Sequence, residues 1–369
     1  MSSTDSRTID SRTIHSRETN SRTMTAAVLH GKEDVQIEQV PVPVPGEGEV
    51  LIKVQVALTC GTDLKVYRRG YHAKMIVPPS LFGHEQAGVI EEVGPGVKFF
   101  QKGMRVVALN SAPCGVCFFC SKHQENLCED LLFNNGAYAE YIRIPRRIVE
   151  RNMLQIPVEV SYQEAAMTEP LACVLRGLQE TGVEPGDSVA VLGAGPIGLM
   201  FVQVAKAIGC NVIAVVKRDG QVTAARQMGA DDVVQLGRGQ DPIRAVRALS
   251  RENRGVDVVI EAVGRPEAWQ WAVEMVRKGG TVNFFGGCAA GTKVEIDTNL
   301  LHYSELTLKA TFHHTPATVR RAFALIAGKK VRPTEYITGE EPLSRLNEVL
   351  RHQMLHRNGD IKTAIIPGR

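Results

Sequence analysis

A thiol and an imidazole flank one short stretch of this chain: Cys60-Gly61-Thr62-Asp63 opens it and Gly83-His84-Glu85 closes it. A thiolate and an imidazole are two of the three protein ligands that a catalytic zinc ion takes, with the fourth position left to water or substrate. The third ligand can come from far along the chain, and Glu169, in Thr168-Glu169-Pro170-Leu171, is the candidate. Taken singly, each of these residues has a plainer explanation, because a lone cysteine or histidine more often serves packing than chemistry. The motifs around them decide between the two.

The first such motif is a cysteine cluster, Cys114-x2-Cys117-x2-Cys120-x7-Cys128. Four thiolates at this spacing can close around a single tetrahedral ion and leave no position for a substrate, which is the arrangement of a structural zinc site. Two zinc ions per chain are therefore expected, one catalytic and one structural. Tight CxxC spacing in a chain of this size with no secretion signal favours metal over disulfides, and with it a reducing compartment, the cytoplasm. Cys173, Cys210 and Cys288 read as small apolar packing residues.

The second motif is Gly193-Ala194-Gly195-Pro196-Ile197-Gly198, which follows the apolar run Val189-Ala190-Val191-Leu192 and opens a helical pattern. Glycines at these positions permit a tight turn, close approach to a pyrophosphate and close packing of helix on strand, while the helix N-terminus offers unpaired N–H groups to the anion. A glycine pattern alone is weak; one set between strand and helix points to a dinucleotide. The next strand normally ends in an acid that binds the adenosine ribose diol of NAD. Here it ends in Val215-Val216-Lys217-Arg218. A guanidinium can clamp the 2′-phosphate that a carboxylate would repel, so NADP is expected over NAD, with Arg218 and then Lys217 as phosphate partners. Asp219 could still serve a ribose.

Two kinds of scaffold must position these groups. Residues 1–23 repeat Asp-Ser-Arg-Thr-Ile with little to bury, so a disordered N-terminal tail is expected. Short apolar runs then alternate with Pro- and Gly-rich turns at 26–29, 35–40, 50–57, 89–93, 105–109 and 137–144, predicting a β-rich domain. Its two long insertions, at 60–85 and 110–135, carry the metal-type residues. After Ile156-Pro157 helices are expected at 162–167 and 171–180, and strand and helix then alternate, with one helix reaching 277. That alternation implies a parallel sheet covered on both faces. The fold expected is α/β, with a β-rich domain over 24–177 and 313–369 and a doubly wound parallel-sheet domain over 178–312.

Composition agrees with this and closes off other classes. At 369 residues the chain is too long for one ordinary core. A net charge of +3 with no long Lys/Arg block gives no reason to expect nucleic acid or anionic membrane as a partner. No apolar run approaches the roughly 18 residues a membrane helix needs.

Together, and in this order, the motifs resemble the zinc-dependent medium-chain alcohol dehydrogenases across residues 24–369. Glu169-Pro170-Leu171 is similar to the sorbitol and threonine dehydrogenase branch, where liver-type enzymes place a cysteine. The resemblance implies a GroES-like catalytic domain, a Rossmann domain, and an active site in the cleft between them. It implies Cys60 and His84 as catalytic-zinc ligands, Glu85 or Glu169 as the third, Asp63 holding the imidazole, and Thr62 relaying the alcohol proton. The position five residues after the cysteine, often histidine in this family, is Lys65, which relays a proton only if its pKa is depressed. Phe312-His313-His314 falls where sorbitol dehydrogenases carry a Phe-Arg-aromatic strand end facing the substrate. Tyr67, with Arg68, Arg69 and His72, lies in the first insertion; Tyr67, His313 and His314 are therefore expected to contact a small alcohol or ketone. A basic cleft would suit a phosphorylated polyol.

The activity implied is zinc-assisted hydride transfer between a nicotinamide and a secondary alcohol of a polyol, cyclitol or related compound, in a homotetramer. L-Threonine 3-dehydrogenase activity is the alternative within the class. A structural protein that binds dinucleotide without turnover is the alternative outside it, and such a protein has no use for Cys60, Thr62, His84 and Glu169 together.

Overall fold

Val50–Leu58 is buried along almost its whole length because it runs through the middle of a sheet covered on both sides. Gln86–Val93, Tyr141–Ile144 and the late strand Lys362–Ile366 all pair with it antiparallel, so the end of the chain closes the domain that its beginning opened. The structure, a computed structural model, describes residues 22–72, 75–237, 239–355 and 360–369. Of the tail expected over 1–23, residues 1–21 lie outside the described residues, and Thr23 already opens the strand Thr23–Gly31.

Strand and helix alternate through the second domain. Ser188–Leu192 (β1), Asn211–Val216 (β2), Asp232–Gln235 (β3), Val256–Glu261 (β4), Val276–Phe284 (β5) and Thr307–Ala310 (β6) form one parallel sheet in the order β3-β2-β1-β4-β5-β6. The order reverses between β1 and β4, and ligands of such sheets bind in the crevice at the carboxyl ends of those two strands. Among the described residues, no helix is long and apolar enough to cross a membrane.

Three local expectations need correcting. The stretch 60–85 is not all loop: Gly61–Arg69 is a helix (α1) with Cys60 as its N-cap. The Cys60 sulfur accepts from the Thr62 amide at 3.5 Å while the Asp63 carboxylate accepts from the Cys60 amide at 3.2 Å, a reciprocal cap that starts the helix. The strand expected over 137–144 is confined to Tyr141–Ile144. Ala137 and Tyr138 instead hydrogen-bond to Gly83 and Phe82, which draws Tyr138 under the metal-type residues. The helix expected to reach 277 ends at Met275, and Arg277 joins β5, where its guanidinium meets Asp257 of β4 at 2.6 Å.

Candidate active site and zinc centres

The four-cysteine loop brings its ligands together. All four sulfurs lie within 4.8 Å of one another, with Cys114 and Cys120 at 3.9 Å and Cys117 and Cys128 at 3.8 Å. Zn–S bonds of about 2.3 Å set tetrahedral sulfurs about 3.8 Å apart, so the donor set fits one zinc with no position to spare. The backbone amide of Cys120 pushes the Cys117 thiol down to about 6, whereas burial pushes Cys128 up to about 12. Four thiolates side by side need the cation that this geometry suits.

The second centre is assembled from the N-cap of α1 and the turn before Gln86–Val93. Ligand atoms of Cys60, His84 and Glu85 lie within 4.8 Å of one another. His84 Nδ1 donates to Asp63 Oδ1 at 2.9 Å, which leaves the other ring nitrogen to face Cys60, and Tyr138 donates its hydroxyl to Asp63 Oδ2 at 2.6 Å. Burial works against charge on His84, yet Asp63 and Cys60 outweigh it and hold the ring well above its usual pKa. Burial and Glu85 push the Cys60 thiol up.

Glu85 supplies the test of fit for a metal. Its Oε2 is 2.5 Å from Lys362 Nζ, while its Oε1 is buried with no hydrogen-bond partner. A buried carboxylate oxygen left bare beside a thiol and an imidazole is costly unless a cation takes it, and this donor set is one zinc accepts. Glu169, at the start of the helix Thr168–Thr181 (α2), stands one step away. Burial pushes its carboxyl up to about 7; His84 opposes that shift and Glu85 adds to it.

Tyr138 and Lys362 are functional neighbours that sequence reasoning missed. The signal for the tyrosine was Gly83: its φ of 87° and the 2.5 Å approach of the Tyr138 ring to where a Cβ would stand leave room only for glycine. The signal for the lysine was a charge inside the strand-like run 361–366. Tyr138→Phe is expected to weaken the catalytic zinc by about tenfold by removing one hold on Asp63, as read by chelator competition.

The coenzyme motif fits a dinucleotide. A groove of about 820 Å³ runs from Lys217 and Arg218 past Gly193 and Gly195 to Cys60. A Cβ on Gly198 would stand 1.8 Å from the Gly193 carbonyl oxygen, whereas one on Gly195 would meet nothing within 4 Å, so that face is open to a pyrophosphate. Gly195 is the N-cap of Pro196–Ile208 (α3), and Ala194 and Pro196 line the same groove. Ile197, next along α3, is half-buried and packs against the core of the domain. Asp219, the nearby acid, has its carboxylate engaged by Gln235 at 2.7 Å.

The remaining expected residues divide. Thr62 is half-buried one residue into α1, with its amide on the Cys60 sulfur. Lys65 is exposed on the same helix, close enough to counter part of the shift of Glu261, which burial pushes up to about 7. Tyr67 is corrected: it is fully buried in the core of the β-rich domain, with its hydroxyl 3.3 Å from Arg351, because the face of α1 opposite the cleft is its apolar one. His314 is likewise interior, with its Nε2 3.2 Å from Asn110 Oδ1, and burial followed by His84 pushes it down to about 3. His313 is half-buried beside Glu169 and Cys173, with its Nε2 2.5 Å from Ser111 Oγ. Burial, His314 and His84 keep that ring neutral.

Comparisons with known proteins agree with this arrangement. Residues 46–157 match the family described as alcohol dehydrogenase GroES-like domain, and residues 196–328 that described as zinc-binding dehydrogenase. Sorbitol dehydrogenase of Bacillus subtilis is 32% identical over 94% of this chain and 98% of its own length. L-Threonine 3-dehydrogenase of the same organism is 32% identical over 90% of this chain and 94% of its own. A zinc-binding dehydrogenase of Sinorhizobium meliloti 1021, solved bound to NADP, superposes with a TM-score of 0.86 at 30% identity, covering 94% of this chain and all of that one. The chain therefore belongs to the zinc-dependent medium-chain alcohol dehydrogenase family, on the branch that includes sorbitol and threonine dehydrogenases.

Proposed function

We propose that this enzyme interconverts a secondary alcohol of a polyol or cyclitol and its ketone, with NADP as the hydride partner. The observation that carries the reading is the groove joining the dinucleotide turn to Cys60, one of the clustered donors Cys60, His84 and Glu85. Zinc, when bound there, supplies Lewis acidity towards the alcohol or carbonyl oxygen. Cys60 and His84 would hold it, with Glu85 as the third ligand through its bare Oε1 and Glu169 close by. Asp63 fixes the imidazole, and the Thr62 hydroxyl passes the alcohol proton towards the nicotinamide ribose. Lys65, exposed on the same helix, stands near Glu261 at the solvent side of that route. His313 meets a substrate hydroxyl.

Arg218, then Lys217, take the 2′-phosphate, a reading supported by Asp219 being turned to Gln235 and by the NADP-bound neighbour. The unpaired cysteines suit the cytoplasm. The largely exposed edge strand β6 suits assembly with further copies, a tetramer by likeness to the branch. The test is a hydride-transfer assay crossing NAD and NADP with polyols, cyclitols, polyol phosphates and L-threonine, with metal counted on the same sample. Two zinc ions per chain and NADP-dependent turnover of a polyol are expected; turnover of L-threonine alone would move the enzyme to the other activity of its branch. Arg218→Ala is expected to raise KM for NADP roughly 10- to 100-fold and leave that for NAD nearly unchanged, since a charge-assisted hydrogen bond contributes about 1.5–3 kcal/mol.

A further inference from the structure

We propose that Glu169, Cys173 and His313 form an additional metal site, which takes one more Zn2+ beside the catalytic centre and excludes the alcohol when filled. The proposal rests on the dehydrogenase reading for what it excludes, but not for the site itself. Ligand atoms of the three residues lie within 4.8 Å of one another, the same closeness that marks the two expected zinc centres. Glu169 and Cys173 are one turn apart on α2, both buried, with Oε1 and Sγ 3.8 Å apart. Oxygen and sulfur on one tetrahedral zinc sit about 3.5 Å apart, so closing the site takes only small side-chain shifts. Carboxylate, thiolate and imidazole with a fourth position open is a donor set zinc accepts.

His313 reaches the pair from the loop after β6. Its φ of 63° lies in the left-handed region, which a non-glycine residue keeps only where its surroundings hold it. Here they do: Asn126 donates to the Phe312 carbonyl at 3.0 Å and Ser111 Oγ sits on His313 Nε2. With Ser111 Oγ accepting from Nε2–H, the other ring nitrogen is left to accept a cation. Charge points the same way. Three buried carboxylates (Asp63, Glu85 and Glu169) and the thiols of Cys60 and Cys173 share this pocket with a single buried lysine, Lys362. Even with His84 held charged by Asp63 and Cys60, the acidic groups outnumber the cations, and a divalent ion would offset that excess while displacing the Cys173 thiol proton.

The test loads the full-length, zinc-replete enzyme with Co2+, counts metal per chain and follows the cobalt–thiolate absorption; in parallel, free Zn2+ is added to the alcohol assay. One further equivalent of Co2+ with a thiolate band is expected, together with Zn2+ inhibition competitive with the alcohol. Cys173→Ala should abolish the band and weaken the added ion by at least about tenfold, because losing a ligand costs more than losing a ligand's hydrogen-bond partner. His313→Ala, on a half-buried loop, gives the same test if the helix variant does not fold. Saturation at two metals per chain, or an added ion whose absorption survives in Cys173→Ala, would overturn the site. Turnover with two zinc ions and no further metal sinks only this proposal, whereas extra Co2+ bound by a chain that oxidises no alcohol sinks the exclusion of substrate and keeps the site.

Discussion

Replacing Cys60 with serine is expected to lower kcat/KM by about 10⁴-fold, or roughly 5 kcal/mol of lost barrier reduction. A serine hydroxyl at that position is a harder donor that keeps its proton and so gives up the charge that holds zinc beside His84. The α1 N-cap survives the change, because serine oxygen accepts from the Thr62 amide as sulfur does. The fold is therefore expected to stay intact. Metal content should fall from two ions to one, since the four-cysteine loop shares no ligand with this centre. NADP should still bind, since Arg218 and the glycine turn belong to the other domain and share no hydrogen bond with Cys60 among the described residues. Elemental analysis, coenzyme fluorescence and turnover on one sample separate these effects. Full activity with two bound zinc ions would remove Cys60 from the centre.

The parts of this site legible in the sequence are those whose chemistry fixes their spacing. Four cysteines within one loop, and glycines between a strand and a helix, carry their geometry in the chain itself: the four sulfurs lie within 4.8 Å of one another, and the glycines stand between β1 and α3. Cys60 and His84 were legible because each sits beside residues that position it, Asp63 for both. Tyr138, Lys362 and Cys173 were not. Each reaches the site through tertiary packing, from a strand-like run or a helix whose apolar pattern hides a polar tip. Tyr67 failed for the opposite reason: proximity in sequence to Cys60 says nothing about which face of α1 it occupies, and burial took it into the core. Spacing reveals ligands that share a loop, whereas ligands brought together by the fold are visible only once the sheet is drawn.

Lys362→Met is expected to be the most destabilising of the single changes at this site. Lys362 and Glu85 are both about 1% exposed, and the lysine also donates to the Thr59 carbonyl at 2.9 Å. Burial opposes the lysine's charge, but Glu85 and Cys60 outweigh it and raise its pKa, so the pair is ionic in the folded protein. Removing one partner of a buried pair leaves the other charge uncompensated and costs about 3–5 kcal/mol. The metal-stripped variant should lose that amount against metal-stripped wild type in denaturant unfolding. Adding Glu85→Gln should restore much of it, because a neutral pair needs no counter-charge. The same experiment decides which carboxylate binds the catalytic zinc. If Glu85 is the third ligand, the ion supplies the missing positive charge and the difference between variant and wild type shrinks on zinc loading. If Glu169 is the ligand instead, Glu85 stays uncompensated and the difference is the same with metal and without.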